Sequence, residues 1–393
     1  MKFSVLLPTR NRLDLLTYAI ETVRKQDYDD WEIIVSDNCS DDNVGGFILS
    51  LNDPRIKYFR TDCFVPVTKN WNRALDKSDG DYVIMLGDDD CLMQGYFSTI
   101  RGLAEQYKMP DFIYTSAFLY AYPGVMPFYK EGFVQPYGYA DFLQSAKVPF
   151  LLQKQQALKM LRYSLNFKVR FGYNMQFSIV SRSLIDTLKK YGEFYQSPYP
   201  DYYASNAMLL KADRILVVPE PLVTIGISPK SFGAYYFNDM EKQGNAFLQN
   251  LPDEEMAKHL DKVILPGTNM NTSWLLSMET LRTNFGDETE LAVNYRRYRL
   301  LQMLAVAGSN AWGKQGRNHD ILQKLNAREK LFYCIILIFM SVLAAIFPER
   351  YRASLINRIV GAYPRFSPPK IPGTYKTILD VFERLSSERT DEK

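Results

Sequence analysis

The first ninety residues alternate between short apolar runs and helix-periodic stretches, and this alternation constrains the fold of the 393-residue chain more than any other feature. The predicted strands are residues 3–7, 32–35, 56–59 and 82–86, and the predicted helices are residues 13–25 and 69–76. Strands separated by single helices form a parallel sheet with right-handed crossovers. We therefore expect an α/β fold in which helices flank a mostly parallel sheet.

Polar residues follow three of these predicted strands at the point where each strand ends. They occupy residues 8–12, 37–42 and 88–90. In open parallel sheets, ligands bind beyond the carboxyl ends of the strands. The three clusters are therefore expected to converge on one site at one edge of the sheet.

The rest of the chain is less regular. Helices are predicted over residues 96–107 and 151–165, strands over 112–120 and 176–181, and a polar helical pattern from about 240 to 330. We expect an α/β domain over residues 1–235, a helical extension over 236–330, and a hydrophobic and amphipathic segment with a tail over 331–393.

Charge and cysteine content exclude several classes of protein. A formal net charge of +3 over the whole chain gives no concentrated basic face, so nucleic acid is not an expected partner. The four cysteines are far apart and form no C-x-x-C pair, which argues against a disulfide framework or structural zinc site and favours a reducing compartment. Residues 1–8 resemble a strand rather than a secretory signal, so we expect a cytoplasmic catalytic part.

Residues 331–347 form a 17-residue stretch without a charged side chain. A helix of that length reaches only ~25 Å, at the bottom of the membrane-spanning range. Arg and Lys flank both ends, so the positive-inside rule does not choose an orientation. With the amphipathic residues 351–360 behind it, the stretch is expected to dip into or lie on a membrane leaflet. A buried helix of a C-terminal bundle is the alternative.

Asp88, Asp89 and Asp90 directly follow an apolar run, and three adjacent carboxylates repel one another unless a cation is present. Hard divalent ions such as Mg²⁺ and Mn²⁺ bind these oxygens and bridge to substrate phosphates. Such an ion makes a nucleoside diphosphate a better leaving group. The alternative is a solvated acidic turn that caps the next helix.

The other two clusters carry groups that bind nucleotides. Asp37 can accept hydrogen bonds from a base or ribose, and Asn38 can both donate and accept; a turn is the alternative. In the first loop, backbone N–H groups and cations can hold phosphate or base, through Pro8, Thr9, Arg10 and Arg12. The chain has neither the glycine-rich dinucleotide fingerprint nor a P-loop, which argues against a dehydrogenase and a P-loop NTPase.

The order VLLPTRNR (5–12), VSDNCSDD (35–42), KNWNRAL (69–75) and GDYVIMLGDDD (80–90) resembles the family-two inverting glycosyltransferases, which have the GT-A fold. The resemblance is strong over about the first 100 residues and extends weakly to about 235. It implies that residues 1–100 bind a nucleotide-sugar donor and that residues 101–235 form the acceptor side. One departure is Gly87, where many members carry another aspartate.

This resemblance also implies roles for single residues. Asp37 would contact the nucleotide base, Asn70 and Arg73 would line the nucleotide pocket, and the acidic run would contact ribose and hold Mg²⁺ or Mn²⁺. We expect Asp90 to be the main metal ligand and Asp88 the second, with Asp88 and Asp89 also contacting the donor. The loop that closes over the donor diphosphate would contain Ser228, Lys230 and Ser231, with Lys230 touching phosphate; a solvated loop lysine is the alternative.

Inverting transfer needs a general base opposite the nucleotide, and the family supplies it from an acidic pair that opens a helix. Asp201 is the best candidate here, although Pro200 stands where the family commonly has Glu. A helix N-cap is the alternative role for Asp201, and Glu193 is the second candidate base. Aromatic clusters at residues 114–122, 128–139 and 199–203 fit either a sugar-stacking groove or the core.

Together these features predict a metal-dependent inverting glycosyltransferase that moves a sugar from a nucleotide diphosphate to a glycan or lipid-linked acceptor. Surface polysaccharide synthesis at the cytoplasmic face of the membrane is the expected setting. One alternative is a nucleotidyltransferase, but the first loop lacks the glycines that such enzymes use. A non-catalytic, membrane-associated scaffold built on a transferase-like domain is the other, and the intact acidic run argues against it.

Overall fold

A computed structural model describes residues 1–127, 129–138, 140–231, 234–235, 254–313, 318–362 and 369–391. Ten of its strands form one sheet. They are β1 (Phe3–Thr9), β2 (Trp31–Asp37), β3 (Ile56–Arg60), β4 (Tyr82–Met85), β5 (Cys91–Leu92), β6 (Phe112–Ala121), β7 (Phe133–Tyr137), β8 (Phe150–Leu152), β9 (Ser178–Ser181) and β10 (Ile215–Ile227).

Seven helices are interleaved with these strands, and the others follow them in the chain. The interleaved helices are α1 (Leu13–Arg24), α2 (Val44–Ser50), α3 (Val67–Asp76), α4 (Tyr96–Gln106), α5 (Lys154–Leu165), α6 (Arg182–Leu188) and α7 (Pro200–Lys211). The later ones are α8 (Glu254–His259), α9 (Asn269–Phe285), α10 (Tyr295–Ala311), α11 (Asn318–Lys324), α12 (Ala327–Ile346), α13 (Glu349–Val360) and α14 (Ile378–Asp391).

The sheet has the order β3-β2-β1-β4-β9-β6-β10-β5, with β7 beside β6 and β8 beside β10. The first four strands are parallel, with Leu6 of β1 opposite both Ile34 of β2 and Met85 of β4. Successive strands run outward from β1 on one side, and β4 returns to its other side. The gap beyond β1 and β4 is therefore a topological switch point, where an open α/β sheet opens a crevice.

The predicted fold class, an α/β sheet with flanking helices, is confirmed, and each predicted strand and helix of the first ninety residues is present. Parallel pairing is found among β1, β2, β3 and β4, and again between β6 and β10. β9 lies antiparallel between β4 and β6, and β5, β7 and β8 are also antiparallel to their neighbours. The whole sheet is mixed because these strands join it through long-range pairings that local periodicity does not specify.

The helical extension shares its core with the sheet domain. Helix α9 packs on α7, and its Trp274 and Leu281 are buried in the same apolar cluster as Phe3 of β1. Thr272 of α9 and Tyr298 of α10 also join by a hydroxyl hydrogen bond of 3.0 Å. The predicted boundary near residue 235 therefore separates two patterns in the sequence rather than two hydrophobic cores. Residues 236–253, at the start of the predicted extension, lie outside the described part.

The end of the chain returns to the sheet. Ile378, Val381 and Phe382 of α14 are buried in a second cluster with Tyr120 of β6 and Met93 after β5. Ile371 pairs with β7 through a main-chain hydrogen bond to Val134. The sequence predicted a single membrane-associating segment and tail over 331–393, whereas the structure places α14 in the packing of the N-terminal domain.

Candidate active site

Three side chains meet at the switch point between β1 and β4. Thr9, the last residue of β1, donates its hydroxyl to Oδ2 of Asp88 at 2.8 Å. Arg12, in the loop that follows, donates Nη1 to Oδ1 of the same carboxylate at 2.8 Å. Residues 8–12 and 88–90 are therefore joined at the predicted edge of the sheet, and residues 37–42 join them through hydrogen bonds between Asn11 and Asp41. We call Thr9, Arg12, Asp88, Asp89 and Asp90 the strand-end cluster.

Asp90 closes the turn after β4. Its Oδ2 accepts hydrogen bonds from Gly87 N at 2.7 Å and Gln176 Nε2 at 2.6 Å, and its Oδ1 accepts one from Gly226 N at 2.8 Å. A Cβ at position 87 would lie 2.5 Å from Oδ2 of Asp90. A side chain at position 87 would therefore have to displace the Asp90 carboxylate from its present position.

Asp89 is the least occupied of the three carboxylates. Its Oδ2 accepts a hydrogen bond of 2.6 Å from the Ser228 hydroxyl and a longer one from Ser228 N. Among the described residues, its Oδ1 receives no hydrogen bond. Gly226 of β10 permits this arrangement, because a Cβ at that position would lie 1.9 Å from the main-chain oxygen of Asp89. The end of β10 therefore fixes Asp89 and leaves one of its oxygens for a ligand.

The strand-end cluster holds more negative than positive charge. Asp88, Asp89 and Asp90 are all buried, and the described salt bridges give them only Arg12 as a cationic partner. Burial, followed by the charge of Asp89, raises the pKa of Asp90 to about 8. Burial also raises the pKa of Asp88, although Arg12 opposes this shift. A buried group of this kind favours binding of an added cation, which would stabilise the ionised carboxylates.

The loop after β10 lies on the loop after β1. Lys230 donates its ammonium to the main-chain oxygen of Asn11, and Arg12 donates Nη2 to the main-chain oxygen of Lys230. Arg10 stacks on Phe64, with its guanidinium carbon 3.5 Å from the ring centroid. Within the described residues, Nη1 of Arg10 is buried and has no hydrogen-bond acceptor. The structure therefore brings Arg12 and Lys230 together, and Arg10, which is in contact with Phe64, retains a donor that a phosphate or base oxygen would satisfy.

Asp37 and Asn38 use their side chains within the protein. The Asp37 carboxylate is fully buried and accepts hydrogen bonds from Ser40 N at 2.9 Å and from the Tyr58 hydroxyl at 2.7 Å. The Asn38 amide pairs with both main-chain groups of Val65, at 2.8 and 2.9 Å. A contact with the donor, which the resemblance implies, stays a prediction for both residues.

The two predicted residues on α3 are also engaged. Both amide atoms of buried Asn70 bond Ser36 of β2, at 2.8 and 3.0 Å, so this side chain joins the helix to the sheet. Arg73 donates to the main-chain oxygen of Arg60 at 2.6 Å. Pro8 lies in β1 opposite Ser36. Their predicted roles in the nucleotide pocket stay predictions, and Asn70 acts in this structure as a positioning residue for β2.

Asp201 lies in the first turn of α7, after Pro200 at the start of the helix. The N-cap position belongs to Tyr199, so the alternative role of Asp201 as N-cap is wrong. Asp201 forms no salt bridge among the described residues, and burial raises its pKa to about 7. Because a general base works best with a pKa near the working pH, this environment fits the predicted role.

Glu193, the second candidate base, is exposed and accepts a hydrogen bond of 2.9 Å from Asn72. The predicted aromatic clusters mostly fill the core. Tyr114 stacks on Phe177 with centroids 5.3 Å apart, and Tyr203 is buried. Phe128 and Tyr139 lie outside the described residues. These contacts favour the core interpretation over a sugar-stacking groove for the residues that they involve.

Sequence reasoning missed two residues at the site. Gln176 bonds Asp90 from 86 positions away, and Tyr122 follows β6 with a buried hydroxyl that has no hydrogen-bond partner in the described part of the chain. After burial itself, the charge of Asp89 contributes to the raised pKa of Tyr122. No local signal marked either residue, because only the pairing of β4, β9 and β6 brings them together.

Asp88–Asp90 have the right chemistry for a divalent ion, but they do not form a complete cage. Among the described residues, no three His, Cys, Asp or Glu side chains are arranged to hold a metal. Mg²⁺ is commonly held by one or two carboxylates, with water and substrate phosphates as its other ligands. The free oxygen of Asp89 and the surplus negative charge fit such a site. Both oxygens of Asp90, the predicted main ligand, are occupied by N–H donors.

Comparison with known proteins gives matches to the N-terminal part of the chain. Residues 4–140 match the model of glycosyl transferase family 2. GalNAc(5)-diNAcBac-PP-undecaprenol beta-1,3-glucosyltransferase of Campylobacter jejuni is 41% identical over 108 residues, which are 27% of this chain and 35% of that protein. The putative colanic acid biosynthesis glycosyl transferase WcaA of Escherichia coli is 31% identical over 135 residues, 33% of this chain and 48% of that protein.

The matched regions therefore span between a third and a half of these two relatives. Among solved structures, S. aureus TarS 1-349 in complex with UDP-GlcNAc is 16% identical to this chain. That alignment covers 95% of this chain and 100% of TarS 1-349, with a TM-score of 0.46.

Proposed function

From the premise that residues 4–140 form a glycosyl transferase family 2 domain, we propose that the chain transfers a sugar from a nucleoside diphosphate to an acceptor hydroxyl with inversion. The observation that carries this proposal is the strand-end cluster. It gathers three buried carboxylates and one arginine at the switch point of the sheet, under a loop that bears Lys230. Anionic diphosphate and a divalent cation together fit that arrangement of charges.

In this proposal, Asp89 would hold the divalent ion through the oxygen that receives no hydrogen bond from the described residues, and Asp88 would add negative charge close to it. When bound, the ion would neutralise the donor diphosphate and stabilise the departing nucleotide. Arg10 and Lys230 contact the donor's phosphates or base, and Arg12 holds Asp88 and the Lys230 loop together. Asp90, Gly87 and Gly226 set the shape of the turn and do not contact the donor.

Asp201 serves as the general base. It accepts the proton of the acceptor hydroxyl while that oxygen attacks the anomeric carbon, and the bond to the nucleotide breaks on the opposite face. A pKa of about 7 leaves a large fraction of the carboxylate ionised at neutral pH and able to take up the proton. A single displacement of this kind inverts the anomeric configuration.

The acceptor is proposed to be a glycan or a lipid-linked sugar in surface polysaccharide synthesis, at the cytoplasmic face of the membrane. The names of two relatives support this class, since they are glucosyltransferases that act on undecaprenol-linked diphosphate sugars. The identity of the acceptor is a separate proposal from the donor site. The experiment below tests only the donor site.

A thermal-shift screen of UDP-, GDP- and dTDP-sugars, each with and without Mn²⁺, tests the donor site. We expect one nucleotide to raise the Tm only when Mn²⁺ is present. Asp89→Asn should abolish that shift. The matched control is Asp186→Asn, which changes an exposed aspartate on α6, a helix that begins beside the amino end of β4. Shifts that need no metal, or that survive in Asp89→Asn, would contradict the proposed site.

A further inference from the structure

Helix α12 has two faces, and its unburied face is apolar. Tyr333, Ile336, Met340 and Leu343 are buried in a cluster with Met303 and Val306 of α10. The opposite side exposes most of its large apolar side chains to solvent. We call Leu331, Ile335, Ile338, Val342 and Ile346 the outer face of α12, and they are between 51% and 69% exposed.

The outer face is too apolar for a surface that contacts only water. Residues 331–347 contain no charged side chain, whereas a surface helix of a soluble protein carries its charges on the side away from the core. Contiguous exposed apolar patches of this kind mark sites of contact with proteins or membranes. The outer face therefore requires a partner that buries it.

Charged residues at the two ends of the helix favour a membrane over a second copy of this chain. Arg328 and Lys330 are exposed at the start of α12, and Arg358 is exposed on α13 after its end. Glu329, between the first two, is paired with Arg299 of α10 at 2.7 Å. Two copies packed face to face would bring cation near cation in either direction. Anionic lipid headgroups would instead attract these residues.

The packing of the buried face of α12 limits the orientation that this helix can take in a bilayer. By length and composition α12 could cross a membrane, with a mean hydropathy of 2.1 over its most apolar window. However, it is packed on α10 from Tyr333 to Leu343, and α10 shares the core of the sheet domain through Tyr298. A spanning α12 would have to draw α10 and its arginines into the hydrocarbon, which is costly.

We propose that α12 lies in the plane of the membrane, with its outer face buried in one leaflet that contains anionic lipid. Helix α13 continues this contact, since Tyr351 and Ile359 are also exposed. Arg352 fixes the angle between the helices by donating to the main-chain oxygens of Ala344 and Phe347, both at 2.7 Å. This inference deepens the proposed function and rests on it only for the nature of the acceptor.

Flotation of the full chain with preformed vesicles tests the contact, without donor or acceptor. We expect binding to vesicles of phosphatidylcholine with phosphatidylglycerol to be at least ~10-fold tighter than to phosphatidylcholine alone. Ile335→Glu/Ile338→Glu should weaken binding by at least ~100-fold, since two buried isoleucines are lost and two like charges are added. The matched control is Leu49→Glu/Val148→Glu, which changes two exposed apolar residues outside the C-terminal helices and should bind as the unchanged chain does.

Equal binding by the Ile335→Glu/Ile338→Glu variant and its control would overturn the proposal. The outer face would instead contact a second copy if the unchanged chain does not bind vesicles and is a dimer by light scattering, while the Ile335→Glu/Ile338→Glu variant is a monomer. Donor-dependent thermal shifts are measured on the same variants. Loss of vesicle binding with an unchanged shift separates the membrane contact from the proposed activity.

Depth measurements test the in-plane orientation. Fluorophores are placed at Leu331→Cys, Ile338→Cys or Ala345→Cys, after replacement of Cys39, Cys63 and Cys334 by Ser, and are quenched by lipids labelled at known depths. An in-plane helix gives similar depths at all three sites. A spanning helix would separate the outer two by ~21 Å along the bilayer normal, and that result would refute the in-plane orientation.

Discussion

The strand-end cluster and the outer face of α12 depart from the usual distribution of side chains in opposite directions. At the end of β4, three carboxylates are buried; the outer face of α12 exposes five large apolar side chains. Buried charge and exposed apolar surface each cost free energy until a partner is supplied. In the two proposals above, a cation and a diphosphate would be the partner of the strand-end cluster, and a lipid surface would be the partner of the outer face of α12.

The largest expected effect is that of Asp89→Asn, which should change sugar transfer but not vesicle binding. Asp89→Asn keeps the hydrogen bond from Ser228 but weakens the ligand for the divalent ion. Because the ion is expected to supply ~4 kcal/mol of transition-state stabilisation, sugar transfer should fall by ~1,000-fold. Vesicle binding should not change. Removal of the metal with EDTA should reproduce the loss in the unchanged chain, and an Asp89→Asn variant with full activity would contradict the role of this carboxylate.

Asp201 gives the next effect and a pH dependence. Asp201→Asn should lower kcat by at least ~100-fold, since a general base typically contributes that much. In the unchanged chain, kcat/KM should fall as the pH drops below about 7, because protonation of Asp201 removes the base. Above that pH it should level off. A pH profile that is flat between 5.5 and 8.5 would argue against Asp201.

A pair of substitutions within α12 compares its two faces directly. Ile336→Ala removes a buried side chain and should lower the free energy of unfolding by ~3 kcal/mol, whereas Ile338→Ala should change it by less than ~0.5 kcal/mol. Vesicle binding should show the reverse order, with the larger loss in Ile338→Ala. Urea unfolding and flotation measure the two effects, and equal destabilisation by both variants would mean that the outer face is covered in solution.

A substitution of Asp90 tests whether this buried carboxylate stabilises the fold. Asp90→Asn replaces one carboxylate oxygen by an amide nitrogen, which cannot accept a hydrogen bond. At least one of the N–H donors of Gly87, Gln176 and Gly226 then loses its acceptor, and stability should fall by ~2 kcal/mol. Asp89→Asn should lower stability much less. Thermal unfolding of the two variants without metal compares their stabilities. A greater loss of stability in Asp89→Asn would mean that Asp89 has the structural role and that Asp90 is the carboxylate available to a ligand.

The smallest expected effect is that of Ser228→Ala. This variant removes the hydroxyl that bonds Oδ2 of Asp89 at 2.6 Å and should cost ~1 kcal/mol of stability. The Mn²⁺ concentration that gives half-maximal transfer should change by less than ~10-fold, because the carboxylate itself remains. A loss as large as that of Asp89→Asn would show that Ser228 takes part in metal or donor binding directly.

The local sequence predicted those features whose physical causes are also local. Apolar runs and helical periodicity gave the first four strands with α1 and α3, and the polar clusters after the strands gave Thr9, Arg12 and Asp88 as one group. The helix over residues 331–347 was also predicted, because 17 uncharged residues leave few alternatives. Its two unequal faces could not be predicted, since they depend on where α10 lies.

What the sequence by itself determined is the set of groups at the strand ends, because parallel strands of one sheet place their carboxyl ends together whatever else the chain does. The tertiary structure alone decided which of these groups stay available to a ligand. Ser228, Gly226 and Gln176 come from distant elements. Among the described residues, their hydrogen bonds engage both oxygens of Asp90 but only one oxygen of Asp89. The packing of α14 on the sheet also depends on tertiary structure. Its side chains are buried by residues far away in the chain, and local sequence patterns do not predict such pairings.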